Sequence, residues 1–229
     1  MAPQRSSRPI LCAVLDGRAL GGAPETLARD LFEAGVDWIQ LRDRSVASLE
    51  LAQLAKGLVD ARNQVLNQRR TDPTTDVNEP RVLINRRVDI ALCSDADGVH
   101  LGFDALAETH ARSLLPEDRL VGRSFHSVQE IESHALRPDP NLAYAHLAPI
   151  WDPLSKRASR PAVGILLLEK ACAIGLPILA QGGVDPAKAE QAVAAGAAGI
   201  AVTGIITGAR NPMAVTRQLR EGLDRALDA

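Results

Sequence analysis

Short apolar runs alternate with amphipathic segments along almost the whole chain, and this alternation restricts the fold more than any other feature. It is clearest at residues 176–204, where two short apolar runs flank an alanine-rich segment that begins at Pro186. Asp185 can cap the exposed amides of a helix that starts there, and both apolar runs end in glycine. The stretch therefore predicts a strand, a helix and a second strand parallel to the first.

The same alternation gives eight strands and eight helices. The predicted strands lie at 10–15, 36–42, 82–85, 98–102, 120–124, 142–147, 176–181 and 199–202. The predicted helices lie at 25–35, 48–67, 88–94, 106–115, 128–136, 163–174, 186–195 and 213–227. Apolar strands that alternate with amphipathic helices need a parallel sheet covered by those helices. Eight repeats in 229 residues predict an α/β fold of the (β/α)₈ TIM barrel type.

An open doubly wound sheet is the alternative fold, and it is disfavoured because no Gly-x-Gly-x-x-Gly follows the first strand. We expect a single domain over residues 1–229, with a flexible N-terminus at 1–9. Residues 68–80 are polar and contain prolines, which predicts an inserted surface loop. Because this loop leads from a helix into a strand, we expect it on the face away from the chemistry.

Composition excludes several classes of function. The formal net charge is −2 and aromatic residues make up 3% of the chain, so nothing indicates a nucleic-acid or membrane partner. Cys12, Cys93 and Cys172 are far apart in sequence, which disfavours a disulfide framework or a zinc site. No apolar run approaches the roughly 20 residues that span a bilayer, and no signal-peptide core is present, so a cytoplasmic location is expected.

Glycines follow the last two predicted strands, at the end of a barrel where active sites lie. Gly182 and Gly183 follow the seventh strand, and Thr203 and Gly204 follow the eighth. Glycine lets backbone N–H groups approach a bound oxyanion closely, and these two strand ends commonly hold a phosphate. Tight turns alone would explain one glycine pair, but glycines on two neighbouring strands favour a phosphate site.

Polar and cationic side chains are concentrated at the other strand ends. They are Gln40, Arg42, Arg44, Asn85, Arg86, His100, Arg123, Ser124, His126, Ser155 and Lys156. One cation alone is typical of a solvated surface, but their concentration favours a substrate with several negative charges, such as a diphosphate. His100 lies inside a strand and is interpreted as a packed pore residue. His126 is the better acid–base candidate, with capping or packing as its alternative role.

Several motifs, in order along nearly the whole chain, resemble the thiamine phosphate synthase and thiazole tautomerase superfamily. They are Gln40-Leu-Arg-Asp-Arg44, Ile84-Asn85 with Arg87 and Asp89, Gly98-Val-His-Leu-Gly102, Gly122-x-Ser124-x-His126, Ala148-Pro-Ile-Trp-Asp-Pro-Leu-Ser-Lys156, Gly182-Gly183 and Gly199-Ile-Ala-Val202. The resemblance implies a (β/α)₈ barrel that joins hydroxymethylpyrimidine diphosphate to a thiazole phosphate and releases pyrophosphate. It also implies Mg²⁺ on the diphosphate, and a pyrimidine carbocation that the thiazole nitrogen captures.

The resemblance also assigns roles to individual residues. The catalytic residues are Arg42, Ser124 and Lys156. The substrate-binding residues are Gln40, Arg44, Asn85, Arg86, His126, Ser155, Gly183, Thr203 and Gly204. By the same resemblance, Gly183 and the amides near Thr203 and Gly204 hold the thiazole phosphate, while Gln40, Arg44 and Asn85 line the pyrimidine diphosphate site.

Two positions depart from the synthase pattern at the implied metal site. Arg86 and Ala105 stand where the synthases carry magnesium-binding aspartates, and Asp104 lies one residue before the second position. Mg²⁺ prefers oxygen ligands, and an adjacent arginine repels it. Mg²⁺ is the expected cofactor, with Asp104 as its candidate ligand. Arg86 can replace part of the charge of the metal but not its octahedral coordination.

A further position separates the two branches of the superfamily. Pro149 stands where the tautomerases carry an acid–base histidine, so this loop favours a synthase-like transferase that acts on small phosphorylated substrates. A tautomerase or isomerase of a thiazole phosphate is the second interpretation. The third is a barrel that binds a phosphorylated thiamine precursor without turning it over. The resemblance is compatible with a homodimer.

Overall fold

Eight parallel strands form a closed barrel. The computed structural model describes residues 8–21, 23–71, 78–137, 142–152 and 161–227. The strands are β1 (Ile10–Leu15), β2 (Trp38–Leu41), β3 (Arg81–Asn85), β4 (Gly98–Leu101), β5 (Leu120–Phe125), β6 (Tyr144–Leu147), β7 (Ile178–Gln181) and β8 (Gly199–Val202). They pair in chain order, and β8 pairs with β1 to close the sheet. The predicted (β/α)₈ TIM barrel is confirmed.

Within the described residues, ten helices connect or follow these strands. They are α1 (Gly17–Leu20), α2 (Pro24–Glu33), α3 (Ser48–Thr71), α4 (Val88–Ser94), α5 (Glu108–Leu114), α6 (Val128–Ala135), α7 (Ile165–Cys172), α8 (Pro186–Ala194), α9 (Gly204–Thr207) and α10 (Pro212–Arg225). Asp185 accepts a hydrogen bond from the Lys188 backbone N–H, as its predicted capping role requires. None of the described helices is long and apolar enough to cross a membrane.

Helices α1 and α9 were not predicted, because one turn of helix is too short to show a helical period in sequence. Both follow directly on strand ends, at β1 and at β8. They therefore lie on the side of the barrel to which the carboxyl ends of the strands point, and α9 starts within the predicted phosphate-binding segment.

One prediction about an irregular segment needs correction. Helix α3 continues through Thr71, so residues 68–71 of the predicted surface loop are helical, because the Gln-Arg-Arg sequence there favours helix. Residues 72–77 lie outside the described part. Within the predicted N-terminal segment 1–9, the Arg8 guanidinium donates hydrogen bonds of 3.1 and 2.9 Å to the Asp224 carboxylate. Residues 1–7 are also outside the described part.

The barrel interior changes from apolar to polar along the strands. Its apolar cluster consists of Cys12, Val14, Trp38, Leu83, Tyr144, Leu179 and Ala201. Two residues further along four of these strands stand Gln40, Asn85, His146 and Gln181. Since side chains two residues apart point to the same side of a strand, these polar groups lie above the apolar cluster. A second, larger apolar core fills the space between the strands and the helices.

Candidate active site

The barrel brings the predicted site residues to one end. Gln40, Arg42 and Arg44 lie at or after the end of β2, Asn85 and Arg86 at β3, Asp104 after β4, Ser124 and His126 at β5, Gly183 after β7, and Thr203 and Gly204 after β8. This end is called the mouth below. Ser155 and Lys156 lie outside the described residues, so their positions remain predictions.

An ion pair occupies the region where the metal was expected. Arg86 donates from Nη1 to Asp104 Oδ2 over 2.7 Å and from Nη2 to the Asp104 carbonyl over 3.0 Å. Arg44 Nη2 lies 3.6 Å from the other Asp104 carboxylate oxygen. The structure does not support Asp104 as a metal ligand, because two guanidinium groups already use its carboxylate. In the described part of the chain, no group of three or more His, Cys, Asp or Glu side chains could hold a metal ion.

The backbone of Arg86 is held in an uncommon conformation. Its φ angle is +67°, in the left-handed region that costs a non-glycine residue about 1–3 kcal/mol. The Arg86 N–H donates to the His100 carbonyl over 2.9 Å, which continues the pairing of β3 with β4 beyond the last strand residue. This bond fixes the direction in which the chain leaves β3, and the guanidinium reaches across to Asp104.

The side chain of Gln40 is buried just inside the mouth. Its Nε2 donates to Asn85 Oδ1 over 3.2 Å, and both side chains are less than one-tenth exposed. Gln40 Oε1 is buried and has no hydrogen-bond partner among the described residues. An unpaired buried oxygen costs about 1–3 kcal/mol, so a ligand that donates a hydrogen bond here would gain from pairing with it.

Two histidines stack on each other in the polar layer. The ring centroids of His100 and His146 are 4.1 Å apart. His100 Nε2 lies 2.8 Å from Ser124 Oγ, and His100 Nδ1 lies 3.1 Å from the Tyr144 hydroxyl. These contacts confirm that His100 is a packed, hydrogen-bonded pore residue.

Both stacked rings are neutral at neutral pH. Burial lowers the pKa of His100 well below 6.5, and the proximity of the His146 ring and of the Arg42 guanidinium lowers it further. Burial lowers the pKa of His146 to about 3, against a smaller opposing effect from a hydrogen bond with Gln181.

Sequence reasoning missed two members of the polar layer, His146 and Gln181, and the buried Tyr144 directly below them. They could have been found from the alternation of side chains along a strand, in which every second residue faces the same side. Once Tyr144 is taken as an interior residue, His146 must face the interior too, and the same rule places Gln181 above Leu179. His146 Nε2 is buried and unpaired within the described residues.

His126 connects the end of β5 to the loop that follows β6. Its Nδ1 lies 2.8 Å from the Ala148 carbonyl, and its backbone N–H donates to Glu130 Oε2 over 2.8 Å. A carbonyl can only accept, so Nδ1 carries the proton. This contact matches the packing alternative for His126, and its Nε2 is left without the proton in the neutral ring.

Arg123 does not belong to the cationic mouth. Its guanidinium donates to Glu108 of α5 over 2.8 Å, on the outside of the barrel. Neighbouring strand residues point to opposite faces, so Ser124 can face the interior only if Arg123 faces the helices. The Arg123 prediction was therefore wrong, because strand ends were grouped without regard to the face of the strand.

The glycines after β7 have a packing role. Gly182 and Gly183 have φ angles of +94° and +65°. A Cβ on Gly183 would lie 2.4 Å from the Asp152 carbonyl oxygen, and a Cβ on Gly182 would lie 2.7 Å from Pro149 Cβ. The loop after β6 therefore lies directly against this backbone, and side chains at either glycine would displace it.

Free backbone donors are also present after β7 and β8. Among the described residues, the N–H groups of Gly183, Thr203 and Gly204 have no hydrogen-bond acceptor. Thr203 and Gly204 are exposed, and Gly183 is half-buried. Because β7 and β8 are neighbours, these donors lie along one edge of the mouth. Such an edge can bind an anion.

Comparison with known proteins gives a consistent result. The family model described as thiamine monophosphate synthase matches residues 11–206. A thiamine-phosphate synthase of Roseiflexus sp. strain RS-1 is 31% identical over 228 residues, which cover 99% of this chain and 90% of that protein. A thiamine-phosphate synthase of Chlorobium phaeovibrioides is 31% identical over 222 residues, covering 95% of this chain and 97% of that protein.

The fold also matches a solved structure. Thiamine phosphate pyrophosphorylase from Pyrococcus furiosus superposes with a TM-score of 0.79 over 97% of this chain and 98% of that one, at 24% identity. At this identity the likeness concerns the fold alone.

Proposed function

Because the chain belongs to the thiamine monophosphate synthase family, we propose that it joins hydroxymethylpyrimidine diphosphate to a thiazole phosphate, forming thiamine phosphate and pyrophosphate. The supporting observation is the presence of two anion-binding features on different sides of the mouth. One is the guanidinium cluster after β2 and β3, in which Arg44 and Arg86 both approach Asp104 and Arg42 directly follows the end of β2. The other is the set of free N–H groups after β7 and β8. Two phosphorylated substrates need two such features, whereas an isomerase with one substrate needs one.

In the proposed reaction the bond between the pyrimidine methylene carbon and the diphosphate oxygen breaks, and the diphosphate leaves with the electron pair. The thiazole nitrogen then donates its lone pair to the methylene carbon. Arg42 and Arg86 are proposed to bind the diphosphate, because charge-assisted hydrogen bonds strengthen as negative charge develops on a leaving group. On the basis of the family resemblance, Lys156 and Ser155 are proposed to bind the same diphosphate.

The polar layer is proposed to receive the pyrimidine ring. Gln40 and Asn85 are buried below the guanidinium cluster, and Gln40 Oε1 is unpaired among the described residues. An aminopyrimidine carries both donors and acceptors on its edge, so it can satisfy such an oxygen. The thiazole phosphate is proposed to bind the N–H groups of Gly183, Thr203 and Gly204.

The residues of the mouth do not fit the magnesium site that the resemblance implies. Asp104 is paired with Arg86 and Arg44, and Arg86 itself stands at one of the two metal-ligand positions. Arg44 and Arg86 carry two positive charges against the single carboxylate of Asp104, so this group of side chains keeps a net positive charge. We therefore propose that guanidinium groups, rather than Mg²⁺, neutralise the diphosphate, and no step is assigned to the metal.

The test is an assay of the purified protein with both precursors and with each precursor alone. We expect thiamine phosphate and pyrophosphate in equal amounts when both are present, and neither product when one is omitted. Conversion of the thiazole phosphate alone into an isomer would contradict the proposal and favour the tautomerase interpretation. Ligand binding without any product would contradict it as well.

A further inference from the structure

A chain of three side chains runs from the apolar interior to the mouth. The Tyr144 hydroxyl lies 3.1 Å from His100 Nδ1, and His100 Nε2 lies 2.8 Å from Ser124 Oγ. Tyr144 and His100 are 1% and 2% exposed, whereas Ser124 is half-buried. The chain thus begins at a fully buried phenol and ends at a hydroxyl that a substrate in the mouth can reach.

The two buried members keep a fixed number of protons. Burial raises the pKa of Tyr144 well above 10, so the phenol stays protonated. Burial lowers the pKa of His100 well below 6.5, so the ring carries one N–H group. A neutral imidazole donates from one nitrogen and accepts at the other. The three groups can therefore be joined in two ways.

In the first arrangement, Tyr144 donates its O–H to His100 Nδ1, and His100 Nε2–H donates to Ser124 Oγ. The Ser124 O–H is then free to donate to a ligand. In the second, Nδ1–H donates to the Tyr144 oxygen and Ser124 donates to Nε2, which leaves the Tyr144 hydrogen without an acceptor. Within the described residues, His100 Nδ1 is the one acceptor bonded to that hydroxyl. An unsatisfied buried donor disfavours the second arrangement by about tenfold or more.

We propose that Tyr144 is a positioning residue that fixes His100 as the Nε2–H tautomer, so that the Ser124 O–H is left to donate to the substrate. The atom that accepts the hydrogen bond from Ser124 would belong to the pyrimidine diphosphate, and this assignment rests on the proposed function. The direction of the hydrogen bonds among Tyr144, His100 and Ser124 does not rest on the proposed function, because it follows from the buried groups alone.

The surroundings of Tyr144 keep its hydroxyl in place. A Cβ on Gly122 would lie 2.1 Å from Tyr144 Cζ and 2.5 Å from the hydroxyl oxygen, so the ring passes directly over this glycine to reach His100. Trp38 packs edge-on against the Tyr144 ring, with centroids 5.0 Å apart. His146 stacks on the His100 ring. Rotation of either ring away from the hydrogen bond would require these neighbours to move.

The first test reads the tautomer directly in the free protein. In protein labelled with ¹⁵N-histidine, the two imidazole nitrogens have different chemical shifts according to which one carries the proton. The chain has five histidines, and a His100→Gln variant assigns the signals of His100. We expect Nε2–H on His100 in the wild type, and a mixture of tautomers in Tyr144→Phe. An Nδ1–H tautomer in the wild type, or an unchanged tautomer in Tyr144→Phe, would overturn the proposal.

The second test measures the consequence for turnover. Tyr144→Phe and Ser124→Ala are each expected to lower kcat by about tenfold or more, with the KM for the thiazole phosphate unchanged. The double variant is expected to match Ser124→Ala, because Tyr144 acts through Ser124. Additive losses would overturn the positioning role. The spectra are recorded without substrate, so they determine the tautomer of His100 even if the synthase assay gives no product. If a variant does not fold, the wild-type spectrum alone still tests the proposal.

Discussion

Arg86 and Asp104 form an ion pair at the mouth of the barrel, with 2.7 Å between Arg86 Nη1 and Asp104 Oδ2. The two residues follow neighbouring strands, β3 and β4, so the barrel itself brings them together. Arg44 approaches the same carboxylate from β2. Arg44, Arg86 and Asp104 therefore form a bridge of ion pairs across the ends of β2, β3 and β4, where the family resemblance implies a metal.

Replacing the bridge with carboxylates should create a metal requirement. We expect Arg86→Asp combined with Ala105→Asp to bind Mg²⁺ and to lose activity in EDTA, since three nearby carboxylates would repel one another without a cation. Isothermal titration with Mg²⁺ measures the binding. Arg29→Asp, at a half-buried position of α2 away from the mouth, controls for the general change in charge. If the double variant binds no more Mg²⁺ than the wild type, the metal position inferred from the resemblance is wrong.

Arg42 and Arg123 offer a matched comparison between the mouth and the outer face. Arg42→Ala should raise the KM for the pyrimidine diphosphate or lower kcat by about tenfold or more, because a charge-assisted hydrogen bond to the diphosphate is lost. Arg123→Ala should leave both constants unchanged and lower the free energy of unfolding by about 1–3 kcal/mol, because Glu108 loses a donor. Steady-state kinetics and urea unfolding test this pair, and equal kinetic effects would contradict the assignment.

The buried histidines should make stability depend on pH. The pKa of His146 is about 3 in the folded protein, against an ordinary value of 6.5. Between these values the unfolded chain binds a proton that the folded chain does not, so stability falls as pH falls below about 6.5. His146→Gln should reduce this slope by about 1.4 kcal/mol per pH unit. Urea unfolding at several pH values measures it.

An identical slope for His146→Gln and the wild type would show that His146 is not held neutral by burial.

Alanine substitutions at Gly183 and Gly175 distinguish the cost of backbone strain from the cost of displacing the packed loop. Both have positive φ angles, +65° and +100°, but a Cβ on Gly175 meets no atom within 4 Å, whereas one on Gly183 meets the Asp152 carbonyl at 2.4 Å. Gly175→Ala should cost about 1–3 kcal/mol in the free energy of unfolding. Gly183→Ala should cost about 1–3 kcal/mol more, and it should weaken binding of the thiazole phosphate. Equal costs in thermal unfolding would contradict the packing role.

Much of the architecture could be predicted because it depends on local patterns. The period of apolar residues located every strand, and the capping residue Asp185 located the start of α8. Strand order then followed from the alternation of strands and helices. The same rule placed Gln40, Asn85 and Ser124 near one another without any knowledge of side-chain contacts.

The rest depended on contacts between distant residues. Arg86 and Asp104 are 18 positions apart, and nothing in either local sequence shows that they pair. The inward face of His146 and the outward face of Arg123 could have been obtained by counting alternate residues along β5 and β6. The hydrogen bond between Arg8 and Asp224 could not, because the two residues lie 216 positions apart.

We propose that this barrel forms thiamine phosphate and that its guanidinium groups neutralise the diphosphate. The most direct measurement is the rate of thiamine phosphate and pyrophosphate formation by the purified protein, supplied with both precursors, in Mg²⁺ and then in EDTA. We expect product under both conditions. Product in Mg²⁺ alone would contradict the role given to Arg86, and no product under either condition would contradict the synthase assignment itself.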